Sequence, residues 1–169
     1  KPVAGGIPSA AFGASQEVYD KTIANMLAET TWVNGLGGTL TGNALALAAM
    51  RATLEKVITK RAYDRMIPLA TRWTEGVRTA IVNAGLPWHV VKLGARAEYR
   101  FRRPPSRNGA EAIASTDPLL DKAAHLLALN RRILLTPFHN MALMCPATSR
   151  GQVDHHTEVF RETVTALCA

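Results

Sequence analysis

The chain has 169 residues, of which 47% are hydrophobic and 20% charged, and it carries a formal net charge of +7. This composition indicates one ordinary globular domain, or a domain with part of another, and no apolar run reaches the roughly 20 residues that span a bilayer. The opening residues lack the pattern of a secretory signal peptide, and Cys145 and Cys168 are too far apart for a metal or redox motif, so we expect a cytoplasmic protein with reduced thiols.

The first sixty residues predict a strand, a helix, a loop and a second helix. Small and apolar residues at 5–15, GGIPSAAFGAS, predict a buried strand between turns, and Ser15 is placed to cap a short helix after it. The stretch TTWVNGLGGTLTGN at 30–43 is too rich in glycine for regular structure and predicts a loop. The apolar stretch ALALAAMRATLEKVIT at 44–59 predicts a helix that is buried on several sides.

A longer helix is predicted from about 61 to 84, because apolar residues recur there with a period near 3.6 residues. These residues are Tyr63, Met66, Ile67, Ala70, Trp73, Val77, Ala80 and Ile81. Gly85 follows the periodic stretch and is predicted to end the helix as its C′ residue.

Two strands are predicted next, at WHVVKLG (88–94) and RAEYRFR (96–102). In the second strand, Ala97, Tyr99 and Phe101 alternate with charged residues, so they are predicted to share one face. The charged residues of the other face are Arg96, Glu98, Arg100 and Arg102. That face is predicted to be solvated, although its arginines could instead bind a substrate carboxylate through paired hydrogen bonds.

The positive charge is concentrated between residues 92 and 107, where six basic residues stand against Glu98 alone, a local net charge of +5. A basic patch of this kind can bind nucleic acid. The aromatic residues interleaved with this patch are only Tyr99 and Phe101, and no nucleic-acid-binding motif is visible. A solvated basic loop is therefore favoured. A non-enzymatic basic binding module stays as a remote alternative.

The last third of the chain predicts a loop, two helices and one strand. The loop covers 103–116, and Asp117 and Pro118 are placed as the N-cap and first residue of a helix that ends near 130. RILLTPFH at 132–139 predicts a short strand. Ser149 and Gln152 resemble a capping box before the last helix, which has Val153, Phe160, Val164 and Leu167 on one face. His155 and His156 are predicted to be exposed on that helix, and no metal site is expected there.

Two glycine-containing motifs together resemble a known family. KPVAGGIPSAAFG at the start and GTLTGNALALAA further on are similar to the cofactor-lysine and phosphate-binding stretches of class III aminotransferases, which are pyridoxal-phosphate enzymes of fold type I. The matching residues are Lys1, Gly5, Gly6, Pro8, Ala11 and Gly13, followed by Gly38, Thr39, Gly42 and Asn43. The resemblance covers essentially the whole chain, because the α+β pattern after residue 87 also fits the small domain of that family.

The resemblance implies an α/β fold: the end of the large cofactor domain followed by a small C-terminal α+β domain. Residues 1–60 are expected to end the large domain, 61–86 to form a connecting helix, and 87–169 to form the small domain. The chain is therefore expected to be the C-terminal portion of a longer enzyme that uses pyridoxal 5′-phosphate as its cofactor.

Lys1 resembles the Schiff-base lysine of the family, which makes it the candidate catalytic and cofactor-binding residue. Lysine suits this role because its amine is nucleophilic and, once released, can move a proton on the substrate. Gly38 and Thr39 are the candidate phosphate-binding residues, since a helix is predicted to begin just after them and helix N-termini favour anions. In the family this stretch reaches the cofactor of the neighbouring subunit, which implies a homodimer with shared active sites.

Substrate choice is expected to depend on the stretch TPFHNMALMCPATS at 136–149, where His139, Asn140 and Met141 are the candidate substrate-binding residues. Met141 stands where related aminomutases carry an acidic residue, and an apolar side chain suits an aromatic amino acid better. The sequence therefore favours the branch of D-phenylglycine and β-phenylalanine aminotransferases, with an arylglycine as amino donor and a keto acid such as 2-oxoglutarate as acceptor. A glutamate-1-semialdehyde 2,1-aminomutase is the alternative.

Overall fold

The computed structural model describes residues 2–27, 37–136 and 139–168. It divides into two compact units, Lys1–Thr59 and Lys60–Ala169. The first unit contains a 3₁₀ turn at Pro2–Ala4, α1 at Gln16–Leu27 and α2 at Ala44–Lys56. The elements of the second unit are α3 at Lys60–Asn83, β1 at His89–Leu93, β2 at Arg96–Arg100, α4 at Gly109–Ile113, α5 at Pro118–Asn130, β3 at Met141–Leu143 and α6 at Arg150–Cys168.

The strand predicted at 5–15 is wrong. After the 3₁₀ turn the chain bends at 5–8, and residues 9–15 have no regular structure and are largely exposed. No strand lies within the described residues of this unit, so an extended segment there has no partner for its backbone groups. The helix predicted after Ser15 is confirmed as α1, and the Ser15 Oγ accepts a hydrogen bond from the Val18 N–H at 3.3 Å.

The predicted second helix is confirmed as α2, but the expectation that it is buried on several sides is wrong. Only Ala46 and Thr53 of this helix are buried, and Leu45 is 69% exposed. Within the described part of the unit, the 3₁₀ turn packs against α2, which covers one narrow stripe of the helix. Of the loop predicted at 30–43, residues 37–43 form turns and the rest lie outside the described residues.

The long predicted helix is confirmed as α3, and its apolar stripe forms one wall of the core in the second unit. Trp73, Val77 and Ile81 on this stripe are all less than 2% exposed. Gly85 ends the helix with a φ of +65°, a conformation that side chains disfavour, and the Leu86 N–H donates to the Ile81 carbonyl at 3.1 Å. The predicted C′ role of Gly85 is therefore confirmed.

Three antiparallel strands form a sheet in the order β1-β2-β3. Tyr99, Ala97 and Ala142 belong to the same buried cluster as residues of α3 and α6, so this face of the sheet is the core face. The two strands predicted at 88–94 and 96–102 are confirmed as β1 and β2. The alternation of side chains along a strand then places Glu98 on the opposite face.

The strand predicted at 132–139 is wrong at its described residues, 132–136 and 139, and the third strand lies further along the chain at Met141–Leu143. Positions 137 and 138 of the prediction lie outside the described residues. No strand occurs among the described residues 131–136, because the chain turns there and Arg132 has a positive φ of 64°. In the register with β2, Met141 lies opposite Glu98, and one further backbone bond joins Asn140 to Tyr99.

Side-chain caps define the helices of the last third of the chain. The predicted loop at 103–116 contains the short helix α4, which was missed. The Asp117 Oδ1 accepts from the Leu119 and Leu120 N–H groups at 3.0 Å, which confirms Asp117 as the N-cap of α5. The capping box is also confirmed, since the Ser149 N–H donates to the Gln152 Oε1 at 2.8 Å and the Gln152 N–H donates to the Ser149 Oγ.

The last helix is confirmed as α6, and its predicted face packs into the core at Val153, Phe160 and Val164. Leu167 is 41% exposed and does not belong to that cluster. His155 is exposed as expected, but His156 is buried, so the prediction for His156 is wrong. Among the described residues, no helix is long and apolar enough to cross a membrane.

Candidate functional site

The candidate phosphate-binding residues Gly38 and Thr39 lie in a tight series of turns immediately before α2. Gly37 opens the turns with a φ of +97°, and a Cβ at this position would lie 2.1 Å from the Thr41 Oγ1. Glycine is therefore required at 37 by both backbone conformation and space. At Gly38 a Cβ would meet no atom within 4 Å, so this backbone is open to an approaching ligand.

The start of α2 offers backbone donors close to Thr39 in sequence. The Asn43 Oδ1 caps the helix by accepting from the Ala46 N–H at 3.1 Å. The N–H groups of Ala44 and Leu45 have no acceptor among the described residues. Thr39 is exposed and adds a hydroxyl. An exposed hydroxyl, an open glycine backbone and free helix N–H groups are chemically suited to a phosphate.

Lys1, the candidate catalytic residue, lies outside the described residues, as do positions 137 and 138. Its role stays a prediction from the opening motif. The described residues after it place Ala4 in a buried position in the 3₁₀ turn that packs against α2. The opening motif and the second motif therefore belong to the same unit of the chain.

The three candidate substrate-binding residues do not share one face of the sheet. Asn140 is buried, and its Nδ2 donates to the Asp121 Oδ1 on α5 at 2.7 Å while its carbonyl accepts from the Tyr99 N–H. These contacts give Asn140 a structural role in joining β2, β3 and α5. His139, which is exposed, and Met141, which is half-buried, lie on the other face of this extended segment from Asn140.

A charged cluster that the sequence analysis assigned to solvent lies beside His139 and Met141. Glu98 is only 4% exposed. Its Oε2 lies 2.8 Å from the Arg96 Nη2, and its Oε1 lies 2.7 Å from the Arg100 Nη2. The His139 Nδ1 is 3.8 Å from the same Oε1. The prediction of a fully solvated face is therefore wrong for Glu98, and only the position of β3 could have revealed it.

A cavity of about 320 Å³ lies between α6 and the segments around β3. Its walls are mainly apolar and include Trp73, Ile133, Leu135, Met141 and Met144. His156 also lines this cavity, and burial lowers its pKa to about 4. In the described parts of the chain, no group of three or more histidine, cysteine, aspartate or glutamate residues could hold a metal ion.

Comparison with curated proteins finds relatives that are considerably longer than this chain. It is 31% identical over 172 residues to the glutamate-1-semialdehyde 2,1-aminomutase of Sorangium cellulosum, and the match covers 98% of this chain. It is 29% identical over 167 residues to the enzyme of the same name from Opitutus terrae, covering 99% of this chain. The chain spans only 36% and 38% of the length of these two relatives. A scan against protein-family models gives no match.

Comparison with solved structures gives high similarity over nearly the whole chain. Two crystal structures of a glutamate-1-semialdehyde aminomutase from Pseudomonas aeruginosa PAO1 match with 46% identity and a TM-score of 0.90, and they cover 98% of this chain and 37% of that protein. One of them is a lysine-to-alanine variant in complex with PMP. A β-phenylalanine aminotransferase from Variovorax paradoxus matches with 20% identity and a TM-score of 0.77, which shows the shared fold.

Proposed function

Because this chain has the sequence and fold of the C-terminal portion of the class III, fold type I pyridoxal-phosphate enzymes, we propose that the whole protein transfers an amino group with that cofactor. The reaction that we favour is the rearrangement carried out by a glutamate-1-semialdehyde 2,1-aminomutase. The observation that carries this choice is the 46% identity to a protein of that name over 98% of the chain. The sequence-based preference for an arylglycine donor becomes the second candidate.

Lys1 is proposed to hold the cofactor and to move a proton at the substrate carbon that bears the amino group. When bound, pyridoxal phosphate supplies an electron sink for that carbon. A lysine amine can perform both tasks because it is a nucleophile when neutral and an acid when protonated. Gly38, Thr39 and the N-terminus of α2 are proposed to bind the phosphate, which their exposure and free backbone N–H groups support.

The full-length protein tests this proposal most directly with Lys1→Ala. We expect the variant to lose turnover and the visible absorbance of the bound cofactor, while Lys21→Ala retains both. Lys21 is a suitable control because it is an exposed lysine whose ion-pair partner, within the part of the chain that the structure describes, is Glu17 on α1. A borohydride-reducible cofactor adduct in Lys1→Ala would contradict the assignment. Absence of visible absorbance from the unmodified protein would favour the basic binding module.

The second candidate is an aromatic aminotransferase, and the surroundings of Met141 favour it. Met141 is half-buried and is one of the residues at the wall of a mainly apolar cavity, in which an aromatic ring costs less to bury than an unpaired polar group. The two reactions differ in their need for an acceptor. An aminomutase converts glutamate 1-semialdehyde with no added keto acid, whereas a transaminase requires one, such as 2-oxoglutarate. A substrate panel with and without 2-oxoglutarate separates them.

We further propose a homodimer in which Thr39 serves the active site of the neighbouring subunit. Mixing Lys1→Ala and Thr39→Ala proteins, at a cofactor concentration too low to fill the weakened site of Thr39→Ala, tests this arrangement. In a mixed dimer with shared sites, one site carries both changes and the other carries neither, so activity should return. No recovery in dimers shown to be mixed would place Thr39 and Lys1 at the same subunit's site.

A further inference from the structure

Charged side chains of β2 lie beside His139 and Met141 on the face of the sheet opposite the core. Glu98 lies opposite Met141 in the strand register. The Tyr99 N–H donates to the Asn140 carbonyl at 3.2 Å, which continues the ladder by one residue. The His139 Nδ1 lies 3.8 Å from the Glu98 Oε1, the same oxygen that pairs with Arg100. Two residues proposed for substrate binding are thus neighbours of a carboxylate and a guanidinium on one surface.

Burial of Glu98 requires its charge to be compensated, because an unpaired buried carboxylate is very unfavourable. Arg96 provides that compensation through a hydrogen bond to the Glu98 Oε2 at 2.8 Å, and Arg100 through an ion pair with the Oε1 at 2.7 Å that is not aligned for a hydrogen bond. A buried ion pair of this kind is seldom the most stable arrangement, since apolar side chains of similar size are often as good or better. The cluster is therefore better explained by a need for a charged group in a fixed position.

Arg100 is the cation that this arrangement fixes. Its side chain is 22% exposed, compared with 50% for Arg96. The pair with Glu98 joins one terminal nitrogen of a guanidinium that has five N–H donors, so further donors can bind a second anion. Two arginines and one glutamate leave a net positive charge. Among the described residues, no other carboxylate lies within ion-pair distance of either arginine.

We propose that Arg100, positioned by Glu98, binds a carboxylate group of the substrate. This inference rests on the proposed function, because it places the substrate beside His139 and Met141. Glutamate 1-semialdehyde and a 2-oxo acid acceptor both carry a carboxylate, and a guanidinium binds this group through two parallel hydrogen bonds. Glu98 acts as a positioning residue that holds the guanidinium.

Binding of glutarate to the full-length protein tests Arg100 without any assumption about the reaction. By titration calorimetry, Arg100→Gln should weaken glutarate binding about tenfold or more, the worth of a charge-assisted hydrogen bond. Arg102→Gln is the matched control, because Arg102 is an exposed arginine two residues away, and it should bind glutarate as the unmodified protein does. Equal binding by Arg100→Gln, or no binding by the unmodified protein, would overturn the proposal.

The positioning role of Glu98 has a separate readout. With the cofactor in its amine form, 4-oxobutanoate and butanal differ in the carboxylate that Arg100 would bind. In single turnovers that consume this amine form, Glu98→Gln should raise the half-saturating concentration of 4-oxobutanoate with little change in the limiting rate, and it should leave butanal unaffected. Equal effects on both aldehydes would show a merely structural role. If Glu98→Gln lacks a cooperative unfolding transition, Arg100→Lys is measured in its place. Because lysine keeps the positive charge, Arg100→Lys should retain part of the preference for 4-oxobutanoate over butanal that Arg100→Gln loses. If glutamate 1-semialdehyde is not converted, the proposed function fails, while the glutarate result still decides the role of Arg100.

Discussion

The imidazole of His156 lies against the indole of Trp73 in the core, with 5.1 Å between the ring centroids. Its Nδ1 has no hydrogen-bond partner among the described residues. Burial of this ring lowers its pKa to about 4, with a smaller contribution from neighbouring His155. Because the unfolded chain binds a proton on this histidine near pH 6.5 and the folded chain does not, His156 couples stability to pH.

Stability is expected to fall as the pH drops from about 6.5 toward 4. The unfolded state gains the proton first, so the free energy of unfolding should be about 2–3 kcal/mol lower at pH 4.5 than at pH 7 through this group. His156→Phe should remove that part of the pH dependence in urea titrations. His155→Gln is the control and should keep most of it, because His155 is exposed. The same slope in His156→Phe and the unmodified protein would contradict this prediction.

Two valines of α3 allow the contribution of core packing to the free energy of unfolding to be measured apart from that of helix propensity. Val77 is fully buried, whereas Val82 on the same helix is 57% exposed. Val77→Ala should lower the free energy of unfolding by about 2 kcal/mol, because it removes buried methyl groups and leaves a cavity. Val82→Ala should change it by less than about 0.5 kcal/mol. Chemical denaturation at pH 7 measures both, and similar losses would show that α3 is not the wall of the core.

The cap of α5 gives a local test. Asp117→Ala should cost about 1 kcal/mol, since the Leu119 and Leu120 N–H groups lose their shared acceptor. Asp117→Asn should retain nearly all of the stability because its amide oxygen can accept the same bonds. Thermal unfolding of the two variants side by side is the measurement. An equally large loss in both would assign the effect to the charge of Asp117 and its position at the start of the helix.

The turns before α2 give a test of cofactor binding. Thr39→Ala in the full-length protein should weaken pyridoxal-phosphate binding by about 1–2 kcal/mol, the usual worth of a hydrogen bond to a charged group. Thr41→Ala removes a nearby exposed hydroxyl and serves as the control, with unchanged affinity expected. Spectroscopic titration of the cofactor-free protein provides the dissociation constants. Equal affinity in Thr39→Ala and the unmodified protein would leave Thr39 with a role in the turn alone.

Met141→Glu tests the substrate-binding stretch. If an aromatic amino acid is the donor, its turnover should fall about tenfold or more, while cofactor affinity stays within a factor of two. The new carboxylate would also face Glu98 across the strands, and like charges in this position cost stability. Met141→Leu keeps the apolar character and should retain the activity. A parallel fall in cofactor affinity and turnover would instead point to a general disturbance of the fold.

The expected fold, the end of a fold type I large domain followed by a small α+β domain, is confirmed by similarity to solved enzymes over nearly the whole chain. Two motifs and the order of helices and strands were sufficient to predict it. The proposed roles of Lys1, Gly38 and Thr39 likewise come from the motifs and stay predictions. The preference for an arylglycine donor receives less support than its alternative, because the relatives that match at 31% and 46% identity are named as aminomutases.

The sequence by itself determined where most helices begin and end, because a cap or an apolar period acts within one or two turns of the chain. Ser15, Asp117 and Gly85 are examples, and each makes the local hydrogen bond or backbone turn that its residue type favours. Tertiary structure decided which residues between those points are buried. Glu98 and His156 were assigned to solvent from their polarity, yet Glu98 is enclosed with the help of two arginines and His156 is covered by Trp73 from another helix. The third strand likewise formed at 141–143, where the chain pairs with β2. Strand pairing depends on a partner that is distant in sequence, so no local pattern could predict this position.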